Sequence, residues 1–508
     1  MAGTEKAEVE RKFDVGESDE LPIFTLIPGV DSVQSTGDQK LDAVYFDTAT
    51  LALAARRITL RRRTGGKDAG WHLKLPVTAD ERLEITEPLN EDTDTVPRRL
   101  RSLVLVHTRN LELAPIAHVK TRRTPISLLS ADGTVLAQFS DDRVESTILL
   151  EPVEAAAWRE WEMELVDGRR KLLDTTETVL AVLGHRPAQL PSKLARALGA
   201  RYPADGPPVP SPGRKGPASA VLLAYLHEQV EALKKHDVGV RRAAPDAVHQ
   251  LRVAARRMRS VLASFRNLTN KGTAQLLREE LQWLAGTVGE ARDLEVMRAH
   301  LNEQLDAEPS DLVTGHAKQH LEDTLAGAYE AALADGLAAL DSDRYFRLLD
   351  ALDGFLTSPP LAGAAQKKAQ ARIGRLVNAE RRRLKGEAKS LRGSFDAETS
   401  DAALHEVRKS AKRLRYAAEA AVPIFGKQAV KIARAAERIQ TILGEHQDSV
   451  IVREKLRSLA ATPPAEASGG DDFTFGRLHA LEQQRGAEAR SRFHQVWRTS
   501  PPGRLRWT

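Results

Sequence analysis

The feature of this 508-residue sequence that most limits its fold is an internal repeat in the C-terminal part of the chain. The segment HQLRVAARRMR, which starts at His249, matches HEVRKSAKRLR, which starts at His405, at an offset of 156 residues. A second match, GEARD at Gly289 and GEHQD at Gly444, has an offset of 155 residues. Two separate matches at nearly one offset predict two related halves, at about residues 219–305 and 366–460, joined by further helices.

A segment rich in proline and glycine, RYPADGPPVPSPGRKGPAS at residues 201–219, divides the chain. Before it, short stretches alternate apolar and charged residues, which is typical of strands. After it, long stretches rich in Ala, Leu and Arg carry helical spacing. The sequence therefore predicts an α+β multidomain protein, with a β-rich domain at 1–200, a linker at 201–218 and an all-α domain at 219–500 that ends in a closing helix.

Composition limits the chemistry that such a chain can perform. Cysteine is absent, so carboxylates and histidines are the remaining candidate metal ligands. The 75 basic residues barely exceed the 70 acidic ones, so the net charge of +5 does not by itself indicate an anionic partner. The charged start and the lack of a long apolar run predict a cytoplasmic protein that is neither exported nor inserted in a membrane.

In the β-rich part, charged residues recur at every second position, so they share one face of each strand about 6.6 Å apart. A sheet with one solvated face would explain any single strand of this kind. Acidic residues, however, concentrate in the first and last of these strands, and basic residues dominate between them. If the sheet closes with these faces inward, the acids could hold Mg²⁺ or Mn²⁺ while the basic residues hold phosphates. The charged faces are Glu8, Glu10 and Lys12; Arg61 and Arg63; His72 and Lys74; Arg82 and Glu84; Lys120 and Arg122; and Glu160, Glu162 and Glu164.

These motifs resemble the CYTH family of triphosphate tunnel metalloenzymes over about residues 5–200. The resemblance is carried by ExExK at 8–12, YFDT at 45–48, LKLP at 73–76, KTRR at 120–123, ExExEL at 160–165 and SKLAR at 192–196, in the order of the family. It implies an eight-stranded antiparallel tunnel that hydrolyses or rearranges triphosphate compounds with Mg²⁺ or Mn²⁺.

The resemblance also implies a role for each matching residue. The implied metal ligands are Glu8, Glu10, Glu162 and Glu164. The implied phosphate-binding residues are Lys12, Arg61, Arg63, Lys74, Arg82, Lys120, Arg122 and Lys193. Glu84 and Asp141 would orient water, and they complete a catalytic set with Glu8, Glu10 and Lys12. No general base is assigned, and Tyr45 is expected to pack in the core.

In the helical part, His249, Arg252, Arg256 and Arg259 fall within an arc of about 80° on one helix. The second copy repeats this stripe with His405, Arg408, Lys412 and Arg415. A solvated face would account for one such stripe, but exposed helices normally intersperse acids at i,i+4, and these stripes hardly do. If the two halves pack together, the stripes could form one anion-binding groove.

This region resembles the CHAD family over about residues 215–500, on the two HxxRxxxRRxR-like motifs and the paired GExxD segments. The resemblance implies a helical domain of two similar halves that binds inorganic polyphosphate. Phosphate contact or packing is expected for the two histidines, because no acid lies one turn away to complete a metal site. Nucleic acid is disfavoured because no aromatic residue interrupts the first stripe. The implied polyphosphate-binding residues are His249, Arg252, Arg256, Arg257, Arg259, His405, Arg408, Lys409, Lys412, Arg413 and Arg415.

The sequence thus predicts an enzyme that hydrolyses inorganic triphosphate to pyrophosphate and phosphate in its N-terminal tunnel and binds polyphosphate in its C-terminal domain. Its predicted location is the cytoplasm, in association with polyphosphate granules. Two alternatives remain open. The tunnel could act on thiamine triphosphate or nucleoside triphosphates, or as an adenylate cyclase, and it could also be a catalytically idle part of a polyphosphate-binding scaffold.

Overall fold

The computed structural model describes residues 3–506 of the protein except 79, 90–94, 205, 207, 315, 392–396 and 462–470, and it describes only the backbone of 397–400. The chain divides into two compact units, residues 1–206 and 207–508. None of the helices among the described residues is both long and apolar enough to cross a membrane.

The first unit is a closed antiparallel β-barrel. Eight strands pair in the ring β1-β6-β5-β4-β3-β7-β8-β9, and β9 pairs with β1 to close it. Two short strands lie outside the ring: β2 pairs with β7, and β10 pairs with β1. The strands are β1 (Glu5–Val15), β2 (Ser32–Ser35), β3 (Gln39–Asp47), β4 (Thr59–Thr64), β5 (Gly70–Pro76), β6 (Glu81–Glu87), β7 (Ala114–Leu129), β8 (Val135–Ile148), β9 (Glu154–Leu165) and β10 (Arg186–Pro187).

Apolar residues cover the outside of part of this barrel. Phe13, Phe139, Trp161 and Met163 lie on the outer face of β1, β8 and β9, under Leu173 and its neighbours. This covered layer fixes which residues of the strands point outward, because side chains alternate along a strand. The unit also contains three helices, α1 (Arg98–Thr108), α2 (Arg170–Val182) and α3 (Lys193–Leu198). Leu173 belongs to α2.

A second apolar cluster fills one end of the barrel interior. Leu194 and Leu198 of α3 pack there against Ala43, Val144 and Trp158. The helix begins at an N-cap, Ser192, whose hydroxyl accepts a hydrogen bond from the amide of Ala195. This packing places Lys193, the first residue of α3, at the floor of the polar part of the interior.

Helices are the only long elements of secondary structure among the described residues of the second unit. Its helices are α4 (Ala218–Arg241), α5 (Ala247–Ser264), α6 (Lys271–Ala307), α7 (Ala317–Leu340), α8 (Asp343–Thr357), α9 (Ala369–Ser390), α10 (Ala397–Ala420), α11 (Val422–Phe425), α12 (Lys427–Ala461) and α13 (Asp471–Thr499). The two repeated motifs lie on α5 with α6 and on α10 with α12. In both cases the first helix of the pair packs against the second.

The halves also pack together in matching ways. Helix α4 contacts α9, and α5 contacts α10. Helix α7 packs on α6 as α13 packs on α12, so the last helix has a counterpart in the first half. The predicted fold class is confirmed: an eight-stranded antiparallel barrel precedes an all-helical region.

Candidate functional site

A polar cavity of about 380 Å³ runs inside the barrel. Strands from all around the ring contribute charged side chains to it, and α3 contributes Lys193. All four acids that the sequence predicts as metal ligands lie in its wall, so the predicted meeting of acids and bases inside the barrel does occur. The acids in the wall are Glu8, Glu10, Asp68, Glu84, Glu162 and Glu164, and the cations are Lys6, Lys12, Arg61, Arg63, Lys74, Arg82, Arg123 and Lys193.

Three buried acids form a compact cluster. One carboxylate oxygen from each of Asp142, Glu160 and Glu162 lies within 4.8 Å of the others. Lys193 Nζ lies among them, 2.8 Å from Asp142, 2.8 Å from Glu160 and 2.7 Å from Glu162. The triad therefore already surrounds a cation, and its hard oxygen donors suit Mg²⁺ or Mn²⁺. This buried acidic triad could hold a divalent metal ion.

The surrounding cations keep two acids of this triad, Glu162 and Asp142, ionised. Burial favours the neutral form of Glu162, but Lys12, Lys193 and Arg123 outweigh it and hold the pKa of Glu162 well below its usual range. Burial also opposes ionisation of Asp142, yet Arg123 and Lys193 lower its pKa. In return, the acids raise the pKa of Lys193 well above normal against the effect of burial. Glu162 and Asp142 are consequently carboxylates at neutral pH.

The acids of β1 face ammonium groups instead. Glu10 lies 2.9 Å from Lys12, and although burial opposes its ionisation, Lys12 and Lys74 lower its pKa to about 2. Glu8 lies 2.5 Å from Lys74, but burial outweighs this contact and raises the pKa of Glu8. Among the described residues, the three-acid cluster contains only one of the four predicted metal ligands, Glu162.

The basic side of the tunnel centres on two arginines of β4. Arg61 donates a hydrogen bond to the Tyr45 hydroxyl, with Nη1 and Oη 3.4 Å apart. Burial and the neighbouring Arg61 lower the pKa of Arg63 to about 10. Arg63 also contacts the exposed carboxylate of Asp68. Two like charges thus stand side by side in the wall, an arrangement that an anion would stabilise.

Three predicted site residues lie outside the tunnel. Lys120 and Arg122 are exposed on the outer face of β7, and their neighbour Arg123 points inward instead. Asp141 is held on the outer face by Arg159, 2.8 Å away, while Asp142 points inward. On each strand, the charged residue that points inward therefore lies one position after the predicted one, with Arg123 instead of Arg122 on β7 and Asp142 instead of Asp141 on β8.

The physical reason is that a strand register shifted by one residue exchanges its two faces. The charged runs KTRR and DDR contain charges at adjacent positions, so charge alone does not fix which ones point inward. Arg123, Asp142 and Glu160 are candidate site residues that the sequence prediction did not assign. Counting from the apolar outer residue Phe139 would have placed Asp141 outside and Asp142 inside.

In the helical unit, the two predicted stripes converge where α5 packs against α10. Burial, Arg408 and Arg256 lower the pKa of Lys412 to about 7. Burial and the neighbouring arginines likewise lower the pKa of Arg256. Within the part of the chain that the structure describes, no ion pair joins Arg256, Arg408 or Lys412 to an acid. These three residues form a half-buried cationic cluster, the central cluster.

Most other members of the stripes have polar or acidic partners. Acids on other helices pair with Arg252, Arg257 and Arg413, which the sequence of one helix does not reveal. Lys409 and Arg415 pair with acids of α10 itself, and Arg259 and His405 contact glutamines. The partners are Asp293 for Arg252 at 2.6 Å, Glu419 for Arg257 at 3.5 Å, Gln282 for Arg259 at 2.7 Å, Gln447 for His405 at 2.6 Å, Glu406 for Lys409 at 2.7 Å, Glu380 for Arg413 at 2.6 Å, and Glu419 for Arg415 at 2.8 Å. His249 is half-buried, and burial lowers its pKa.

The repeated glycine explains how the two repeated motifs fit together. Arg252 crosses α6 directly over Gly289, where a Cβ atom would lie 2.4 Å from its Nε. The arginine donates to the carbonyl of Gly289 and to Asp293. In the second half, Arg408 approaches Gly444 less closely, at 3.6 Å from the position of a Cβ.

Comparisons with known proteins agree with this architecture. The model of the CYTH domain matches residues 6–197, and the model of the CHAD domain matches residues 224–457. The chain is 41% identical over 507 residues to the protein Rv2226 of Mycobacterium tuberculosis (strain ATCC 25618 / H37Rv), covering 97% of this chain and 96% of that protein. The chain therefore belongs to the family of proteins that join a CYTH domain to a CHAD domain.

Two solved structures are similar to part of the chain. PptA from Streptomyces chartreusis is 24% identical, covers 56% of this chain and 100% of its own, and has a TM-score of 0.46. The CHAD domain from the plant Ricinus communis is 24% identical, covers 59% of this chain and 98% of its own, and has a TM-score of 0.48.

Proposed function

We propose that the barrel hydrolyses inorganic triphosphate to pyrophosphate and phosphate, with Mg²⁺ or Mn²⁺ held by Asp142, Glu160 and Glu162. The observation that carries this proposal is the position of Lys193 Nζ, 2.7–2.8 Å from all three carboxylates. A site that binds an ammonium ion through the oxygens of three carboxyl groups has the donor type that a divalent cation needs. Of the three acids, Glu162 lines the cavity, where Glu8, Glu10 and Glu164 supply further carboxylates.

In this proposal, the cations of the tunnel bind the substrate. Arginine forks match phosphate oxygens in pairs, and Arg61 and Arg63 in the cavity wall supply such forks. Arg123 also lines the cavity, but its guanidinium donates to Asp142 and Glu162 and would reach phosphate only after it releases them. Lys12 and Lys74 add point charges. A bound metal ion supplies charge neutralisation and orients water. The protein's own groups position the phosphates and stabilise the charge that develops on the transferred group.

The direct test is an assay of phosphate release by the full chain. Tripolyphosphate, ATP, thiamine triphosphate and long polyphosphate are compared with Mg²⁺, with Mn²⁺ and with EDTA. We expect tripolyphosphate to be the fastest substrate and EDTA to abolish the reaction. Release of adenylate cyclase products from ATP, or faster hydrolysis of another triphosphate, would assign the tunnel to one of the alternative substrates.

The matched variants are Glu162→Gln in the triad and Glu145→Gln on the exposed outer face of β8. Glu162→Gln should lower kcat by about 10²-fold or more, because a first-sphere carboxylate is lost. Glu145→Gln should leave the rate unchanged. A wild-type protein that binds tripolyphosphate with metal but releases no phosphate would favour the non-catalytic scaffold.

We also propose that the central cluster of Arg256, Arg408 and Lys412 binds inorganic polyphosphate. Half-buried cations that form no ion pair within the described part of the chain repel one another, and an anion that lies between α5 and α10 would reduce that repulsion. The flanking residues that already pair with acids, Arg252, Arg257, Lys409, Arg413 and Arg415, would contribute less. The cluster lies where both halves meet, so one chain of phosphates would contact both copies of the motif.

Calorimetric titration with long polyphosphate tests this assignment. Arg256→Gln and Lys412→Met should each weaken binding by about 10-fold or more, because charge-assisted contacts to phosphate are lost. Lys409→Gln is the control, since Lys409 is exposed and paired with Glu406. Equal losses in all three variants would contradict a central site, and tighter binding of duplex DNA than of polyphosphate would favour nucleic acid as the ligand.

The two sites on one chain motivate a third proposal, that the helical unit concentrates polyphosphate for the enzyme in the cytoplasm and directs it to polyphosphate granules. The full-length double variant Arg256→Gln/Lys412→Met should lose co-localisation with granules while it hydrolyses tripolyphosphate at the normal rate. Retained co-localisation would contradict this coupling.

A further inference from the structure

His72 of β5 and Glu84 of β6 form a buried pair in the wall of the tunnel. His72 Nδ1 lies 3.0 Å from Glu84 Oε1, and His72 Nε2 lies 2.9 Å from the backbone carbonyl oxygen of Asp68. The side chain of His72 is only 2% exposed, and that of Glu84 is 17% exposed and lines the cavity. The sequence placed His72 on the charged face of its strand but gave it no role.

The two ring nitrogens of His72 face two oxygen atoms, Glu84 Oε1 and the backbone carbonyl oxygen of Asp68, and these restrict where protons can lie in the pair. A carbonyl oxygen and an ionised carboxylate both accept hydrogen bonds, and neither donates one. A neutral imidazole has a single N–H, so neutral His72 beside ionised Glu84 makes only one of the two hydrogen bonds. One proton added to the imidazole allows both hydrogen bonds to form. The geometry therefore favours uptake of a proton by the pair.

Burial and the charged groups around the pair determine its protonation state before the reaction. Burial lowers the pKa of His72, and Arg61 and Arg63 on β4 lower it further against the effect of Glu84. Burial opposes ionisation of Glu84, but His72, Lys74 and Arg61 hold the pKa of Glu84 well below its usual range. Near neutral pH, Glu84 is therefore a carboxylate, His72 is neutral, and the pair has room for a proton.

We propose that Glu84, supported by His72, accepts the proton of the water that attacks the triphosphate. This inference rests on the proposed hydrolytic function. As the water oxygen bonds to phosphorus, the bond from phosphorus to the leaving pyrophosphate breaks, and one water proton moves to Glu84. The proton is then shared between Glu84 and Nδ1 of His72 and returns to solvent after product release. Glu84 is the catalytic residue of the pair, and His72 is a positioning residue.

The test is the pH dependence of phosphate release from tripolyphosphate by the full chain, for wild type, His72→Gln and Glu84→Gln. We expect the wild-type kcat to fall as pH falls through the pKa of the pair, because the pair is then already protonated. His72→Gln should lower kcat by about 10²-fold, change KM less than kcat, and move this acidic limb to lower pH, since Glu84 alone holds the proton less tightly. Glu84→Gln should remove the limb.

His118→Gln is the matched control, because His118 forms a comparable pair with Asp42 at 2.6 Å, outside the tunnel cavity. It should keep the wild-type rate and pH profile. A purely structural role for His72 would lower kcat equally at every pH. A His72→Gln enzyme with the wild-type kcat and acidic limb would overturn the proposal.

A readout without substrate or metal comes from the imidazole ¹⁵N resonances, with the His72 signal assigned by its loss in His72→Gln. On acidification, this imidazole should pass from one N–H to two N–H groups. An imidazole that stays neutral down to pH 5 would contradict the proposal, whatever the activity. If wild type releases no phosphate from any triphosphate, the proposed function itself fails, whereas an active wild type with an unaffected His72→Gln variant refutes only this pair.

Discussion

Lys193 Nζ lies 2.7 Å from Glu162 Oε1, so the first residue of α3 reaches the centre of the buried triad. The ammonium group holds together carboxylates that would otherwise repel one another in a poorly hydrated interior. A divalent cation that enters the triad must therefore displace Lys193, whose ammonium is then free to contact phosphate. The metal and the lysine compete for one position.

This competition predicts how a variant at Lys193 responds to metal. In EDTA, Lys193→Met should be destabilised by about 3–5 kcal/mol, because removing one partner leaves buried charges uncompensated. Saturating Mg²⁺ or Mn²⁺ should raise its Tm by more than it raises the Tm of wild type. Thermal unfolding with and without metal measures both effects, with the exposed Lys171→Met as control. Equal metal-induced shifts in both proteins would contradict the competition.

The one-residue correction on β7 gives a second prediction. Arg123→Gln should lower kcat/KM for tripolyphosphate by about 10²-fold, because a guanidinium directed into the tunnel is lost. Arg122→Gln, one residue away on the outer face, should leave kcat/KM within about two-fold. Steady-state kinetics on both variants measure these losses, and circular dichroism checks that both variants fold. A larger loss of kcat/KM in Arg122→Gln than in Arg123→Gln would support the sequence prediction that Arg122 points into the tunnel.

The close approach of Arg252 to Gly289 predicts unequal effects of three glycine substitutions. Gly286→Ala should stabilise the protein by about 0.5–1 kcal/mol, because nothing lies within 4 Å of its Cβ position and alanine favours helix. Gly444→Ala should behave similarly. Gly289→Ala should bring no such gain, because Arg252 must move and loses its contact with Asp293. Denaturant unfolding measures the three values, and a gain at Gly289 equal to that at Gly286 would show that the contact is unimportant.

The lowered pKa of Lys412, about 7 in the folded protein against 10.5 normally, predicts linked proton effects. Between these values the unfolded chain binds the proton and the folded one does not, so this lysine makes stability rise with pH across that window. Lys412→Met should remove this rise. A polyphosphate anion favours the charged lysine, so binding near pH 8 should take up protons. Titration calorimetry in buffers of different ionisation heat detects this uptake, and an identical heat in all buffers would contradict it.

The periodic patterns of the sequence predicted a β-rich part followed by an all-helical part, and this order is confirmed. The eight-stranded antiparallel form of the barrel was implied by the resemblance to the CYTH family, and it is confirmed as well. The bounds of the two repeated helical halves remain a prediction. The motifs of the CYTH and CHAD families are confirmed by the matching domain models. The four acids predicted as metal ligands do line the tunnel, although their role as ligands remains a prediction.

Two features of the candidate sites depend on tertiary contacts and were not available from periodicity. Apolar packing on the outside of the barrel determines which side chains of β7 and β8 point inward. Arg123 and Asp142 therefore point into the barrel, where the sequence had predicted Arg122 and Asp141. Some of the acids that neutralise the outer parts of the stripes come from other helices, such as Glu380 for Arg413 and Glu419 for Arg257. A helix that lacks acids in its own sequence can still be neutralised by its neighbours.

The most direct test of the account is the anomalous diffraction of Mn²⁺ in crystals of the full chain grown with a non-hydrolysable triphosphate analogue. We expect an anomalous peak between the carboxylates of Asp142, Glu160 and Glu162, with Lys193 moved onto phosphate and the analogue bound by Arg61, Arg63 and Arg123. A triad that keeps Lys193 at its centre while Mn²⁺ and the analogue bind elsewhere would contradict the central claim.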